Sequence, residues 1–280
     1  MKRVAIQGVS GAFHDIAARA YFEGENIETI DCLTFKDVFD AIRKGDANFG
    51  IVAIENTIAG SLLQNHNLLR ESETSVIGEF KLRISHCLAA LSDQKLEDIK
   101  EINSHPIALM QCQDFLATRS DWKAVEKEDT ALCAKEISQK KLQGVAAICS
   151  EYAAKIYGLN ILEKGIETNK RNFTRFLIIT DRYMAESHTK QEDINKASIV
   201  FSTHHEEGAL SQVLSVFSFY HNNLTKIQSL PIVGHEWEYL FFVDLTFNEY
   251  IKFKQSLDAI RPLTRNLKIL GEYASGKLQL

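Results

Sequence analysis

One short segment combines a hydroxyl, an amide and a guanidinium at the start of an otherwise apolar strand. It reads Asn172-Phe173-Thr174-Arg175-Phe176 and runs on into Leu177-Ile178-Ile179. Side chains alternate along a strand, so we expect Thr174 to share a face with Asn172 while Arg175 points the other way. The Thr174 hydroxyl is therefore our candidate for the chemistry. The plain alternative is an edge-strand threonine beside a surface arginine.

A second polar segment follows the apolar run Ile51-Val52-Ala53-Ile54. Glu55, Asn56 and Thr57 come directly after it, and Gly60-Ser61 follow shortly. Polar residues at the carboxyl end of a buried strand lie where α/β proteins bind ligands. The structural alternative is a helix that begins at Ser61 and is capped there.

Two further segments open helices. Gln7-Gly8-Val9-Ser10-Gly11-Ala12 has the pattern of a strand that passes through a two-glycine turn into a helix, whose free backbone N–H groups would attract a carboxylate. An ordinary strand-to-helix turn explains it equally. Asn103-Ser104-His105-Pro106 opens another helix, in which Ser104 can act as a cap. Capping does not explain Gln111, which needs a hydrogen-bond partner if it is buried.

The elements that position these residues alternate between strand and helix patterns, which predicts an α/β fold with a parallel or mixed sheet. The predicted strands are Val4–Gln7, Phe49–Ile54, Leu88–Leu91, Glu101–Asn103, Ala146–Cys149 and Phe173–Thr180. The predicted helices are Ala12–Phe22, Phe35–Arg43, Ser61–Arg70, Pro106–Ala117, Thr130–Ser138 and Ser150–Tyr157.

A polar stretch at 182–195 has almost no apolar residue and is predicted to be a linker between two domains. Beyond it the pattern predicts a βαββαβ order, which is the ferredoxin-like arrangement. The predicted strands are Lys196–Thr203, Leu224–Pro231, Trp237–Thr246 and Leu267–Tyr273, and the predicted helices are Gly208–Tyr220 and Tyr250–Arg261.

Composition excludes several classes of function. The chain has 280 residues, 45% of them hydrophobic and 25% charged, as in an ordinary globular protein. A net charge of −5 without a basic stretch argues against nucleic-acid partners. No apolar run is long enough to cross a bilayer and no signal-peptide pattern is present, so we expect a cytoplasmic protein. The five cysteines are scattered singly, which favours buried reduced thiols over a metal or disulfide site.

Taken in order, the polar segments resemble the successive motifs of the prephenate dehydratase family. The similar runs are Gln7–Phe13, Ile54–Thr57 with Gly60-Ser61, Ser104-His105-Pro106 with Gln111-Cys112, and Asn172–Phe176. After the linker, Glu207–Leu210, Asn223–Ile227 and Trp237–Asp244 look like the ACT regulatory domain attached to that enzyme. The resemblance extends from Val4 to about Tyr273 and is carried by the order of the motifs.

The resemblance implies a lyase that converts prephenate to phenylpyruvate, with loss of carbon dioxide and water, on the route to phenylalanine. The implied architecture is a two-lobed catalytic domain of the periplasmic-binding-protein type over 1–181, the linker 182–195 and an ACT domain over 196–275. It places Thr174, Asn56 and Gln111 at the chemistry. The implied substrate-lining residues are Gly8, Gly11, Ala12, Glu55, Thr57, Ser61 and Ser104, with Arg175 in a supporting role. Neutral donors suit a reaction driven by aromatisation, and no metal or cofactor is implied.

For the second domain the resemblance implies a phenylalanine site framed by Gly208, Ala209, Leu210, Asn223 and Leu224, and a homodimer or homotetramer. Two positions depart from the family pattern. His14 stands where serine is usual, and Gln228-Ser229-Leu230-Pro231 stands where Glu-Ser-Arg-Pro is expected. Arogenate dehydratase, which has the same chemistry on the amino form of the substrate, and a non-catalytic sensor of amino acids or anions are the other hypotheses.

Overall fold

The computed structural model describes residues 1–232, 234, 237–276 and 278–279, the last two by their backbone alone. The described helices, in chain order α1 to α9, are Phe13–Tyr21, Phe35–Lys44, Leu63–Glu71, Pro106–Gln111, Gln113–Ala117, Thr130–Lys140, Glu151–Ile156, Ala209–Phe219 and Tyr250–Ile260. None of the helices in these residues is long and apolar enough to span a membrane.

The strands alternate with the helices over the first two-thirds of the chain. In chain order, β1 to β16 are Lys2–Gln7, Ile27–Cys32, Phe49–Asn56, Gly60–Ser61, Thr74–Arg83, Cys87–Ala90, Glu101–Ser104, Lys123–Glu126, Val145–Cys149, Asn160–Lys164, Phe173–Asp181, Lys196–Thr203, Asn223–Pro231, Tyr239–Thr246, Thr264–Tyr273 and Leu278–Gln279.

The chain forms two compact units, and neither is one continuous segment. The first unit contains Met1–Gly60, Phe80–Phe176 and the strand β16, and the second contains Ser61–Glu79 and Leu177–Lys277. The long strands β5 and β11 each contribute residues to both units. The sequence analysis divided the chain into three consecutive segments: a catalytic segment at 1–181, a linker at 182–195 and an ACT domain at 196–275. The compact units do not follow these boundaries, because each unit combines separate parts of the sequence.

The first unit contains two sheets. In one, the order is β11-β3-β1-β2, with β1 parallel to both β2 and β3. The strand β3 is buried from Phe49 to Ile54 and becomes partly exposed only at Glu55 and Asn56. A strand buried on both faces has a continuous apolar sequence, and its polar carboxyl end is where side chains can serve a site.

The other sheet of the first unit has five strands in the order β10-β6-β9-β7-β8. Its core combines small and medium apolar side chains, among them Cys87, Ala147 and Cys149, all fully buried. Strands β7 and β9 are parallel, whereas β6 runs antiparallel to β9, so this is a mixed sheet. The helix α4 begins at Pro106 directly after β7, with the His105 side chain accepting a hydrogen bond from the Ile107 N–H.

The second unit contains the predicted βαββαβ order, formed by β12, α8, β13, β14, α9 and β15. Its sheet has the order β13-β14-β12-β15, with β5 paired beyond β15. One face is covered by α8 and α9 through a cluster that includes Phe217, Phe253 and Leu257. On the other face, His66 of α3 meets the ring of Phe242 at a centroid distance of 5.0 Å.

Several elements differ from the sequence predictions. The strands β2, β4, β5, β8, β10 and β16 were not predicted. The prediction of one continuous helix at Pro106–Ala117 was wrong. The segment forms two helices, α4 and α5, which are separated at Cys112, where ψ is 18°. The predicted helix Ser61–Arg70 begins at Leu63, and Ser61 instead lies in the short strand β4. The predicted linker contains two short 3-10 turns, Ala185–Ser187 and Gln191–Asp193.

Candidate active site

The carboxyl end of β3 and the start of β11 bring three polar side chains of the first unit together. The Asn56 amide Nδ2 lies 2.9 Å from Thr174 Oγ1, 2.8 Å from Asn172 Oδ1 and 3.2 Å from the Phe173 carbonyl. Asn172 is fully buried and Thr174 is 9% exposed. The predicted sharing of one strand face by Asn172 and Thr174 is therefore confirmed, because a single amide nitrogen reaches both.

The orientation of Asn56 is fixed from its other end as well. Its Oδ1 accepts hydrogen bonds from the Ile58 and Ala59 N–H groups at 2.9 and 2.8 Å, which closes the turn after β3. Such a local side-chain turn is a common role of asparagine. Since the oxygen is used in the turn, the amide nitrogen must donate, and Thr174 Oγ1 is its acceptor. The hydroxyl proton of Thr174 remains available to a further acceptor.

Gln111 joins the same network from the end of α4. Its Oε1 accepts from Asn172 Nδ2 at 2.9 Å and lies 2.9 Å from His86 Nε2. Gln111 is 6% exposed, so the partner that the sequence required for a buried glutamine is present. Within the described part of the chain, its amide Nε2 has no acceptor, which leaves two N–H donors available to a ligand.

Arg175, the cationic residue of the Asn172–Phe176 segment, lies on the opposite face of β11. Arg175 is buried and forms an ion pair with Glu55 through Nη1 and Oε1, 3.4 Å apart. The prediction that Thr174 and Arg175 point to opposite faces of the strand is thus confirmed. Thr57 lies beside them and is used in strand pairing, because its Oγ1 accepts from the Phe173 N–H and donates to the Arg171 carbonyl.

Ser104 is also used internally. Its Oγ donates to the Ile148 carbonyl at 2.7 Å, and the side chain is fully buried. This bond joins the end of β7 to β9 and places Ser104 beneath the start of α4. Ser61, the remaining polar residue predicted to line the substrate, belongs to the second unit, where its Oγ accepts from Lys226 Nζ at 2.9 Å.

The first strand-to-helix turn was predicted either to offer the free N–H groups of its helix start to a carboxylate or to be an ordinary turn of this kind. Within the turn, the N–H groups of Gly8, Gly11 and Ala12 are already paired. The three groups donate to acceptors inside the protein: Gly8 to the Cys32 carbonyl at 2.9 Å, Gly11 to Asp15 Oδ2 at 2.8 Å and Ala12 to the Val9 carbonyl at 2.9 Å. These three N–H groups are therefore not free, and the predicted contact of Gly8, Gly11 and Ala12 with the substrate stays a prediction.

Both glycines are required by this packing. Gly8 has φ of +97°, and a Cβ there would lie 2.6 Å from Asp129 Oδ2. Gly11 has φ of +92°, and its Cβ would meet the backbone of Ala153 at 2.9 Å. Burial raises the pKa of the Asp129 carboxyl to about 6, although its hydrogen bonds to the N-terminus of α6 act in the opposite direction.

His14 lies on α1, and its ring packs against two aromatic rings from other elements rather than making a polar contact. Its ring lies at centroid distances of 5.5 Å from Phe35 and 5.0 Å from Phe176, in edge-to-face geometry. Burial lowers the pKa of His14 to about 3, so the imidazole is neutral near pH 7. The residue that departs from the family pattern thus supports Phe176, two positions after Thr174.

Two members of the network were not assigned a role from the sequence. Asn172 connects Asn56 to Gln111, and its place in the motif beside Thr174 was the available signal. His86 carried no local signal, because it sits in Ser85-His86-Cys87 before a short apolar strand. Only the fold brings its ring to Gln111, 25 positions later.

Comparison with known proteins shows which family this sequence resembles. A family model for prephenate dehydratase matches residues 4–183. A bifunctional chorismate mutase/prephenate dehydratase of Escherichia coli K12 is 33% identical over 277 residues, which cover 98% of this chain and 71% of that protein. The chloroplastic arogenate dehydratase/prephenate dehydratase 2 of Arabidopsis thaliana is 36% identical over 283 residues, covering 97% and 72%.

Solved structures share the fold over nearly the whole chain. A protein described as GqqA, a novel type of quorum quenching acylase, is 27% identical with a TM-score of 0.87 and 98% coverage of both chains. A prephenate dehydratase of Arthrobacter aurescens in complex with L-Phe is 23% identical with a TM-score of 0.84, covering 97% of this chain and 90% of that one.

Proposed function

This chain belongs to the prephenate dehydratase family, lyases that decarboxylate and dehydrate prephenate to phenylpyruvate, and we propose that Thr174 is the donor to the departing hydroxyl. One observation carries the assignment: Thr174 Oγ1 accepts from Asn56 Nδ2 at 2.9 Å, which directs its own proton away from Asn56. A hydroxyl held in this way is preorganised to donate.

The reaction explains why neutral groups suffice. The C–C bond to the ring carboxylate breaks, carbon dioxide departs and the electron pair of that bond enters the ring. The 4-hydroxyl leaves with the C–O electron pair and takes up a proton, which comes ultimately from solvent, to become water. Aromatisation supplies the driving force, so the protein has to stabilise the charge that develops on the departing oxygen. A hydrogen bond from Thr174 does this, and one such donor contributes about 2.7–4 kcal/mol to catalysis in other enzymes.

We assign different parts to the two amides. Asn56 is a positioning residue for Thr174, since its Oδ1 is held by the turn after β3 and its Nδ2 is directed at Thr174 and Asn172. Gln111 is a direct donor to substrate through its Nε2. Glu55, Thr57, Ser104 and Arg175 support the two strands and α4, and Gly8, Gly11 and Ala12 shape the first turn.

Prephenate turnover tests the proposal. Purified protein is incubated with prephenate, and phenylpyruvate is measured with Thr174→Val as the matched variant. Formation of phenylpyruvate by the parent protein and its loss in the variant support the assignment. Absence of turnover by the parent protein contradicts the function, whereas equal turnover by both contradicts only the role of Thr174.

Arogenate is the second candidate substrate, because the Arabidopsis relative at 36% identity carries both activities in its name. The two substrates differ in one group, a keto group in prephenate and an amino group in arogenate. The ratio of kcat/KM for the two compounds decides between them. A higher value for prephenate is our expectation, and a higher value for arogenate would reassign the chain.

We further propose that residues 196–275 form an ACT-type regulatory domain that binds L-phenylalanine at Gly208, Ala209, Leu210, Asn223 and Leu224. The Arthrobacter protein, described in complex with L-Phe, supports this ligand. Gly208 has φ of 76° and precedes α8. At the position of the expected arginine, Leu230 is 6% exposed and packs with Leu240 and Phe242, so it joins the core of the sheet.

Calorimetry with L-phenylalanine tests the regulatory site. Saturable heat that is lost in Gly208→Val supports it, and absence of both heat and inhibition would leave the domain with a structural role. A cytoplasmic location and a homodimeric or homotetrameric assembly complete the proposal. The five buried free thiols support the reducing compartment, and sedimentation at several concentrations tests the assembly.

A further inference from the structure

His86 is a buried histidine that lies directly against the proposed site. It is 2% exposed and precedes β6, and its ring packs edge-on against Phe13 at a centroid distance of 5.4 Å. Its backbone N–H donates to Glu167 Oε2 at 2.9 Å, and Glu167 is itself buried. The ring is therefore held in place both by packing and through its own backbone.

The contact between His86 and Gln111 fixes the tautomer. Gln111 Oε1 can only accept, so the hydrogen lies on His86 Nε2 at the 2.9 Å contact. In the neutral ring, Nδ1 then carries a lone pair, and this buried nitrogen has no partner among the described residues. Burial lowers the pKa of His86, which agrees with a neutral imidazole.

Two donors converge on the same oxygen of Gln111. His86 Nε2 and Asn172 Nδ2 both lie 2.9 Å from Oε1. Rotation of the carboxamide by half a turn would place its NH₂ against both donors, which would leave buried groups unpaired at about 1–3 kcal/mol each. The oxygen is thus locked inward, and the NH₂ of Gln111 is directed away from the network.

We propose that His86 is a positioning residue of the dehydratase site, which holds the Gln111 carboxamide in the one orientation that presents its Nε2 donors to the substrate. This inference rests on the proposed function of Gln111. His86 itself does not contact the substrate. Asn172 alone cannot fix the amide as firmly, because loss of His86 removes one of the two donors that oppose rotation.

The test uses substitutions that separate the hydrogen bond from the ring. His86→Phe keeps a ring against Phe13 but removes the donor, whereas His86→Gln places an amide nitrogen at the position of Nε2. We expect His86→Phe to lower kcat about 10- to 100-fold, since a misoriented donor loses up to the effect of one missing donor. KM is expected to change by a much smaller factor, and His86→Gln to recover part of kcat.

Coupling to Gln111 distinguishes positioning from general damage. If His86 acts through Gln111, His86→Phe should have no further effect on kcat in a Gln111→Ala background. His66→Phe is the matched control, because His66 is also buried and also meets an aromatic ring edge-on, in the second unit. It should leave kcat unchanged.

Three results would overturn the inference: a normal kcat in His86→Phe, the same fold loss in the Gln111→Ala background, or no recovery in His86→Gln. If the parent protein turns over neither prephenate nor arogenate, the proposed function fails separately. The role of His86 is then read from a ¹H–¹⁵N spectrum of its ring. A neutral ring with hydrogen on Nε2 is expected, and hydrogen on Nδ1 would contradict the arrangement.

Discussion

Replacement of Thr174 by valine removes the hydroxyl while it keeps the branched shape in a nearly buried place. If the hydroxyl donates to the departing oxygen, kcat is expected to fall about 10²- to 10³-fold, the loss seen when one preorganised donor is removed. Since the donor acts in the transition state, kcat should fall more than KM rises. Thr174→Ser keeps the hydroxyl and should retain part of the activity.

The effect on stability is expected to be small, and the structure gives the reason. Asn56 Nδ2 loses one acceptor in the valine variant, but Asn172 Oδ1 and the Phe173 carbonyl remain at 2.8 and 3.2 Å. The net loss of one hydrogen bond is about 1 kcal/mol. Thermal unfolding of both variants checks that the fold is kept, and phenylpyruvate formation under saturating prephenate gives kcat. A valine variant with nearly normal kcat would refute the reasoning.

Three further predictions concern the framework of the site and of the second unit. Gly8→Ala should lower the free energy of unfolding by about 2 kcal/mol or more, because the left-handed backbone and the close approach of Asp129 both oppose a Cβ. Gly24→Ala is the control: Gly24 has φ of +83° and nothing within 4 Å of its Cβ position, so the substitution should cost only the backbone strain. Chemical denaturation compares the two, and equal losses would contradict the contact. Asp129 has a folded-state pKa of about 6, above its ordinary value of 3.8, so its stabilising contribution is complete below the lower value and is lost as the pH rises through the higher one. Between those two pH values the free energy of unfolding should fall by an amount on the order of 1–3 kcal/mol, and Asp129→Asn should remove this fall. An unchanged pH dependence of unfolding in the variant would contradict the role of Asp129. Glu79→Gln should destabilise the protein by about 3–5 kcal/mol, because Lys196 Nζ lies 2.8 Å from that carboxylate and both side chains are buried. Denaturant titration measures it, and a loss near zero would show that the pair is solvated.

The sequence predicted those elements whose apolar pattern is local. The buried strand β3 and the helix α2 are examples, since Phe49–Ile54 is continuously apolar and Thr34 and Asp37 form a capping box at the start of α2. The strand β5 was missed because Glu79 interrupts its pattern. The carboxylate of Glu79 is paired with Lys196, 117 positions later, and accepts from Ser275 and Gly276 as well, and a local pattern carries no such information.

For the candidate site, too, the local motifs were predictable and the contacts between distant segments were not. Thr174, Asn56 and Gln111 were predicted from their motifs, and the structure joins them through Asn172 into one hydrogen-bonded network. Which atom of each amide would be free could not be predicted, because that depends on partners from distant segments. The N–H groups of the first turn illustrate the point, since the acceptor of Gly8 is the carbonyl of Cys32 in a strand that was not predicted.

The measurement that tests the central claim most directly is the balance of products from prephenate, made with protein dialysed against a chelator and without added nucleotide. The network of Thr174, Asn56 and Gln111 predicts catalytic turnover with equal amounts of carbon dioxide and phenylpyruvate. No turnover of prephenate or arogenate above the spontaneous rate, under conditions in which the protein is folded, would contradict the account.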